Sequence, residues 1–390
     1  MSRIRIIAIY LPQFHPIPEN DEWWGKGFTE WTNVGRAKPL FRGHDQPKVP
    51  ADLGYYDLRL PEVREAQAQL AREAGIEGFC YYHYWFGNGR RLLERPFNEV
   101  LELGKPDFPF CLCWANHTWS NKTWEKSKSK TTNTILLEQR YLGIEDYTMH
   151  FNALLPAFLD KRYMTVNGKP IFVIYNPWDS PEIKRFIDTW QSLARINGLP
   201  GIHFVGKTQS TVSHEKQQDG TIKVVLPNLK SSKDVYNKVL SLGFDAVQSF
   251  GKRRGELLSK GKWMTYAREI LLKVGLNSKL LYDYPKAVKY FFAPEDSWDN
   301  VYPTIMPGYD RTARIGNAEG IFVNNSPENF KMHVKDAINI VKNKPQQQQI
   351  IFLNAWNEWA EGCYVEPDIT NGHGFLNAIH EALSEESADM

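Results

Sequence analysis

Ile350-Ile351-Phe352-Leu353-Asn354-Ala355-Trp356-Asn357-Glu358-Trp359-Ala360-Glu361-Gly362 is an apolar run that turns abruptly into amides, acids and tryptophans. Four consecutive apolar residues before a polar stretch read as a strand buried on both faces, as in a parallel sheet covered by helices. Two glutamates three residues apart follow at its end. Carboxylates close enough to interact hold their pKa values apart, so one can serve as acid while the other serves as base. A competing reading is the capped start of a helix, with Glu358 and Glu361 on its macrodipole. That reading leaves Trp356, Asn357, Trp359 and Gly362 unexplained, so the pair is read as catalytic.

Working outward, the same unit recurs. Apolar, strand-like runs cover residues 4–11, 78–86, 110–119, 170–176, 202–207, 246–250 and 302–306, and the run at 350–354 makes an eighth. Helical spacing with capping signals covers 61–75, 92–103, 144–159, 181–197, 234–242, 326–342 and 374–384; Pro61 and Pro327 stand at first-turn positions and Ser326 at an N-cap. Eight alternating units predict a single (β/α)8 TIM-type barrel spanning residues 1–390, with long aromatic loops at its C-terminal face. An open doubly wound sheet is the rival, but no GxGxxG or GxxxxGK[ST] follows any strand. Residues 208–222 and 251–295 read as insertions, the second with one or two helices. Residues 12–31 read as a long aromatic loop without helical periodicity, too aromatic for disorder.

In a barrel of this kind the strand C-terminal ends converge on one mouth, where active sites lie. The sequence puts His15, Tyr82, His83, Trp85, Trp114, Asn116, His117, Tyr175, Asn176, Tyr309, Asp310, Asn354, Trp356, Glu358 and Glu361 at those ends. Glu30, Trp31 and Asn33 of the first loop and Asn357 of the last join them as candidate substrate contacts. Any one of these is more easily structural, and the tryptophans serve equally well as packing over the rim; their grouping carries the functional reading. Glu366-Pro367-Asp368 reads as the turn that fixes the motif.

The bulk properties narrow the partners. A formal net charge of +2 gives no reason to expect a nucleic acid, and the basic run at Lys126-Ser127-Lys128-Ser129-Lys130 reads as a solvated loop. The 13 tryptophans and 18 tyrosines, many beside Asn, His or Glu, suit sugar rings, whose C–H faces stack on aromatics while their hydroxyls need polar partners. Cys80, Cys111, Cys113 and Cys363 show no CxxC spacing and read as buried reduced thiols. His15, His83 and His117 could converge, but nothing like HExxH supports a metal, so neither metal nor cofactor is expected. With no apolar run of membrane-spanning length and no export signal, the expectation is a cytoplasmic protein without stable membrane insertion.

Five stretches together, AIYLPQFHP, WWGKGFTEWTNV, GFCYYHYWF, CWANHTW and LNAWNEWAEG, resemble the WbsX-type, glycoside hydrolase family 99-like proteins associated with polysaccharide or O-antigen biosynthesis. The resemblance spans nearly the whole chain. It implies a (β/α)8 barrel acting on a glycosidic bond, with Glu358 as base and Glu361 as general acid. It also implies a retaining route in which the base deprotonates the sugar 2-hydroxyl, whose oxygen displaces the leaving group to form a 1,2-anhydro sugar. That route needs O2 trans to the leaving group, as in α-D-mannosides and α-L-rhamnosides. A retaining glycosidase or transglycosidase acting on an oligosaccharide or polysaccharide is therefore expected first. A glycosyltransferase of lipopolysaccharide or O-antigen assembly comes second, and a non-catalytic carbohydrate-binding barrel third.

Overall fold

A computed structural model describes residues 4–120, 134–209, 214–216, 222–224, 232–274, 276, 279–318 and 320–388. The basic run at 126–130 lies outside the described residues. Eight strands run parallel: β1 (Arg5–Tyr10), β2 (Gly78–Trp85), β3 (Phe110–Trp114), β4 (Lys169–Ile174), β5 (His203–Gln209), β6 (Ala246–Phe250), β7 (Val301–Ile305) and β8 (Ile350–Leu353). Each pairs with the next, and β1 pairs with β8 through Arg5 opposite Ile350 and Ile7 opposite Phe352, so the sheet closes into the expected barrel. The open doubly wound rival is thereby excluded.

The reason for closure is legible in the side chains. Ile6 to Ile9 of β1 and Ile350 to Leu353 of β8 are fully buried, because one set of alternating residues fills the barrel while the other meets the surrounding helices. The helices Pro61–Glu73, Arg95–Leu103, Ile144–Phe158, Ile183–Ile196, Ser232–Ser241, Pro327–Val341 and Gly374–Ala388 follow the strands in turn. Pro327 opens its helix as expected, and the Ser326 side chain accepts from the Asn329 amide at 3.3 Å.

Three local expectations change. The first loop is not aperiodic: it contains the short helices Pro18–Trp24 and Glu30–Arg36, too brief for a clear 3.6-residue period. The third strand stops at Trp114, and Trp119–Ser120 instead pairs antiparallel with Ile135–Leu137 in a separate two-stranded sheet. Between β6 and β7, helices Lys252–Lys260 and Lys262–Lys273 are followed by a strand, Leu281–Asp283, paired in parallel with Ile321–Val323. The stretch after β5 contains a small antiparallel pair, His214–Lys216 with Ile222–Val224, and its remaining residues 210–213 and 217–221 lie outside the described residues.

All four cysteines are buried and free. Among the described residues no helix is long and apolar enough to cross a membrane, and no group of three or more His, Cys, Asp or Glu is arranged to hold a metal.

Candidate active site

Past β8 the chain makes a tight hairpin rather than a helix. Asn357–Glu358 pairs antiparallel with Cys363–Tyr364, and a single 3-10 turn, Trp359–Glu361, joins them. The helix-start reading of the glutamate pair is therefore corrected. Gly362 closes the turn at φ +57°, and a Cβ there would sit 2.9 Å from that of Asp310, so only glycine lets the loop after β7 come this close. The Asp310 amide donates to the Glu361 carbonyl at 2.6 Å across that contact.

This approach brings in Arg314, on the short helix Thr312–Ile315. Its guanidinium meets three carboxylates: Nη2 lies 2.5 Å from Glu30 Oε1 and 3.1 Å from Glu358 Oε2, and Nη1 lies 2.5 Å from Glu361 Oε1. Glu30 and Glu358 are buried, while Glu361 remains partly open to solvent. Burial and the neighbouring Glu361 push the Glu358 carboxyl up to about 8, against the pull of Arg314. Burial also raises Glu30, partly offset by Arg314. Burial works against the charge on Arg314, yet the three glutamates outweigh it and hold the guanidinium firmly protonated.

An aromatic and cationic wall surrounds this cluster. Tyr82 and Tyr84 of β2 and Tyr175 after β4 are all raised by burial, with the charge of Glu358 adding for Tyr82 and Tyr84 and the charges of Glu361 and Glu358 adding for Tyr175. Lys207, buried near the end of β5, lies 4.5 Å from the Tyr175 ring centroid and 3.4 Å from Asn354 Oδ1. Tyr309 is raised by burial and by Glu361, and Lys252 sits 3.9 Å from its ring centroid. His117 packs 5.6 Å from Tyr175, its ring pushed down to about 4 by burial. The expected residues Glu30, Tyr82, His117, Tyr175, Tyr309, Asn354, Glu358 and Glu361 thus gather around the mouth.

Others do not. Side chains alternate along a strand, so with Tyr82 and Tyr84 directed toward the glutamates, His83 and Trp85 must point to the helices. His83 Nε2 lies 2.8 Å from His150 Nε2, and Trp85 stacks on His150 with centroids 4.5 Å apart while its Nε1 donates to Asp146. Trp114 packs on Phe186 and donates to the Trp85 carbonyl. Trp356 is buried against Phe79. These four are corrected from substrate contacts to core.

A further group braces the site from behind. Asn357 accepts from the Leu11 amide at 2.8 Å and donates to its carbonyl, tying the hairpin to the exit of β1. Asn116 spans β3 and β4 through the Asn176 amide and carbonyl. Asp310 accepts from His44, Gln46 and the Thr312 amide; burial raises it, but these bonds prevail and leave it below its ordinary range. It thereby caps the turn that carries Arg314. Trp31 donates to the Tyr56 carbonyl and packs against Phe14, Tyr55 and Trp359. His15 bonds the Pro12 carbonyl and is pushed down to about 4 by burial. Asn33 is buried on the same short helix as Glu30. Glu366 accepts from Tyr56, Gln67 and Trp359, fixing the hairpin base as expected for the Glu366-Pro367-Asp368 turn.

Arg314, Lys207 and Tyr84 escaped the sequence reading. Tyr84 follows from Tyr82 by strand alternation, and a lysine closing the apolar run 202–207 is a readable anomaly. Nothing in Arg311-Thr312-Ala313-Arg314 distinguishes the second arginine from the first.

The family described as Glycosyltransferase WbsX matches residues 6–379. The chain belongs to the WbsX family. It is 34% identical over 383 residues to the uncharacterized protein WxcX of Xanthomonas campestris pv. campestris, in two strains, covering 97% of this chain and 49% of the relative. The chain thus spans about half the length of these curated relatives. In fold, this WbsX chain is similar to the GH99 endo-alpha-mannosidase of Bacteroides thetaiotaomicron, with TM-score 0.55, 14% identity and coverage of 100% and 99% of the two chains. It is likewise similar to a glycoside hydrolase-like protein, with TM-score 0.57, 14% identity and coverage of 98% and 94%.

Proposed function

We propose that this chain is a carbohydrate-active enzyme that cleaves or transfers a glycosidic bond of an α-manno- or α-rhamno-configured polysaccharide, working through Glu358 and Glu361. The observation that carries the reading is the convergence of Glu30, Glu358 and Glu361 on Arg314 at the C-terminal mouth of the barrel. Three acids on one cation leave surplus negative charge in a partly dry site. That arrangement holds a proton within the cluster, as paired acid–base chemistry needs. The fold shared with the GH99 endo-alpha-mannosidase and membership of the WbsX family support the substrate class.

In this reading ionised Glu358 takes the proton of the sugar 2-hydroxyl, and O2 attacks C1 as the C1–oxygen bond to the leaving group breaks. Glu361 gives its proton to the departing oxygen. Water or an acceptor hydroxyl then opens the 1,2-anhydro ring, losing its proton to Glu361 while O2 recovers one from Glu358. The anomeric configuration is retained. Glu358 held up to about 8 is a strong base once ionised, and Arg314 supplies the countercharge that lets it ionise. Tyr82, Tyr84, Tyr175 and Lys207 line the space where the ring would lie. The proposal takes residues 1–390 as one catalytic unit, in the setting of polysaccharide or O-antigen assembly.

A second reading, transfer from a nucleotide-sugar, rests on the description of the family as a glycosyltransferase. The two separate by supplying an oligosaccharide alone, then a nucleotide-sugar with an acceptor, and following products by mass spectrometry. Cleavage or rearrangement of the oligosaccharide alone supports the glycosidase or transglycosidase; turnover only with the nucleotide-sugar supports the transferase.

A further inference from the structure

A helix on a protein surface ordinarily turns its apolar face to the core. The helix Lys262–Lys273 does the reverse. Trp263, Met264, Ala267, Ile270 and Leu271, with Val274 just beyond, recur at spacings of three and four that put them on one stripe, and all are exposed. Trp263 is 77% exposed, Ile270 60% and Val274 63%. The opposite face carries the packing: Thr265 is wholly buried, and Glu269 meets Arg253 at 2.5 Å. Among the described side chains of this helix, the polar Thr265 and Glu269 therefore face inward while the apolar ones face solvent. An apolar stripe of this kind marks an interaction surface.

The charge around it specifies the partner. Between residues 252 and 289 there are ten Lys and Arg against three Asp and Glu, a net +7 within a chain whose total is +2. The three acids are already engaged inside the segment, Glu256 by Lys252 and Arg253, Glu269 by Arg253, and Asp283 by Lys286. A second copy of the chain would bring an equally positive segment against this one and be repelled. An anionic lipid surface meets both requirements: its acyl boundary accepts Met264, Ile270, Leu271 and Val274, its headgroup level suits Trp263, and its phosphates balance the lysines.

We propose that the helix Lys262–Lys273 docks this protein on the surface of an anionic bilayer, lying in the interface rather than crossing it. Only Gly261 separates it from the helix Lys252–Lys260, whose first residue sits 3.9 Å from the Tyr309 ring centroid at the mouth. Docking therefore engages an element joined directly to the rim of the site.

Co-sedimentation tests this with vesicles of phosphatidylglycerol and phosphatidylcholine in equal parts, against phosphatidylcholine alone. The full chain is expected to bind the anionic vesicles, more weakly as salt rises, and to leave the neutral ones at least tenfold less occupied. The double variant W263A/I270S changes only exposed side chains, and should keep the wild-type melting temperature while losing tenfold or more of the binding. Absence of binding to anionic vesicles at low salt overturns the proposal, as does binding that the double variant leaves unchanged. A dimer in light scattering that W263A/I270S dissolves, without vesicle binding, also overturns it and assigns the face to a second copy.

Discussion

Arg314 Nη2 lies 2.5 Å from Glu30 Oε1, joining a short helix after β7 to a residue 284 positions earlier in the chain. Because the same guanidinium also meets Glu358 and Glu361, Glu30 fixes the arginine from behind while the other two carboxylates face the mouth. Replacement by lysine keeps the charge but loses the planar fork that reaches three carboxylates at once. Arg314→Lys should fold and lose activity on the order of 10²-fold, the cost of misplacing reacting groups by about an ångström. Arg314→Met removes the charge and should destabilise the fold by about 3–5 kcal/mol when the acids are ionised. Denaturant melts at pH 5 and pH 8.5 should show the larger loss at the higher pH.

The pH–rate profile separates the two glutamate roles. Glu358 is held up to about 8 by burial and by Glu361. As the base Glu358 must be ionised while Glu361, the acid, keeps its proton, so kcat/KM should rise with pH toward about 8 and fall again where the acid is lost, a bell rather than a plateau. A profile that falls through the same region with no rising limb before it would assign Glu358 the acid role and reverse the proposal.

The same shift has a consequence for stability. A carboxyl raised in the folded state stabilises the fold most below its unfolded value, and that contribution is lost as pH rises through about 8. Glu358→Gln removes one of the three negative charges on Arg314. It should therefore melt higher than the wild type at pH 8.5, with the gain shrinking toward pH 5, as seen by differential scanning calorimetry.

Trp85 and Trp114 pack with His150 between the barrel and its helices, away from the mouth. Each replaced by alanine should cost about 3–5 kcal/mol of stability. Tyr175→Phe keeps the ring volume and should alter KM or kcat with little change in melting temperature. Parallel melts and kinetics on the three variants check the division.

The architecture was readable because buried parallel strands and capped helices leave strong local signals, from Ile4 to Leu11 through the Ser326–Pro327 helix start. The glutamate pair was readable because two acids among tryptophans at a strand end fit no packing rule. A polar or aromatic residue near a strand end need not face the mouth, because alternation sends His83 and Trp85 outward. Asn116, Asn357 and Asp310 spend their side chains on backbone and neighbouring groups, a role that only the loop geometry reveals. Arg314 meets its partners across the fold, and no local pattern encodes contacts 284 and 44 positions away.

The most direct test is turnover of aryl α-mannosides and α-rhamnosides by Glu361→Gln and Glu358→Gln, with melting temperature recorded alongside. Both variants should stay folded and still bind sugar while activity falls on the order of 10²–10⁴-fold, and the Glu361 variant should suffer most with the poorly activated leaving group. Full activity in both folded variants would contradict the account and remove these glutamates from the chemistry.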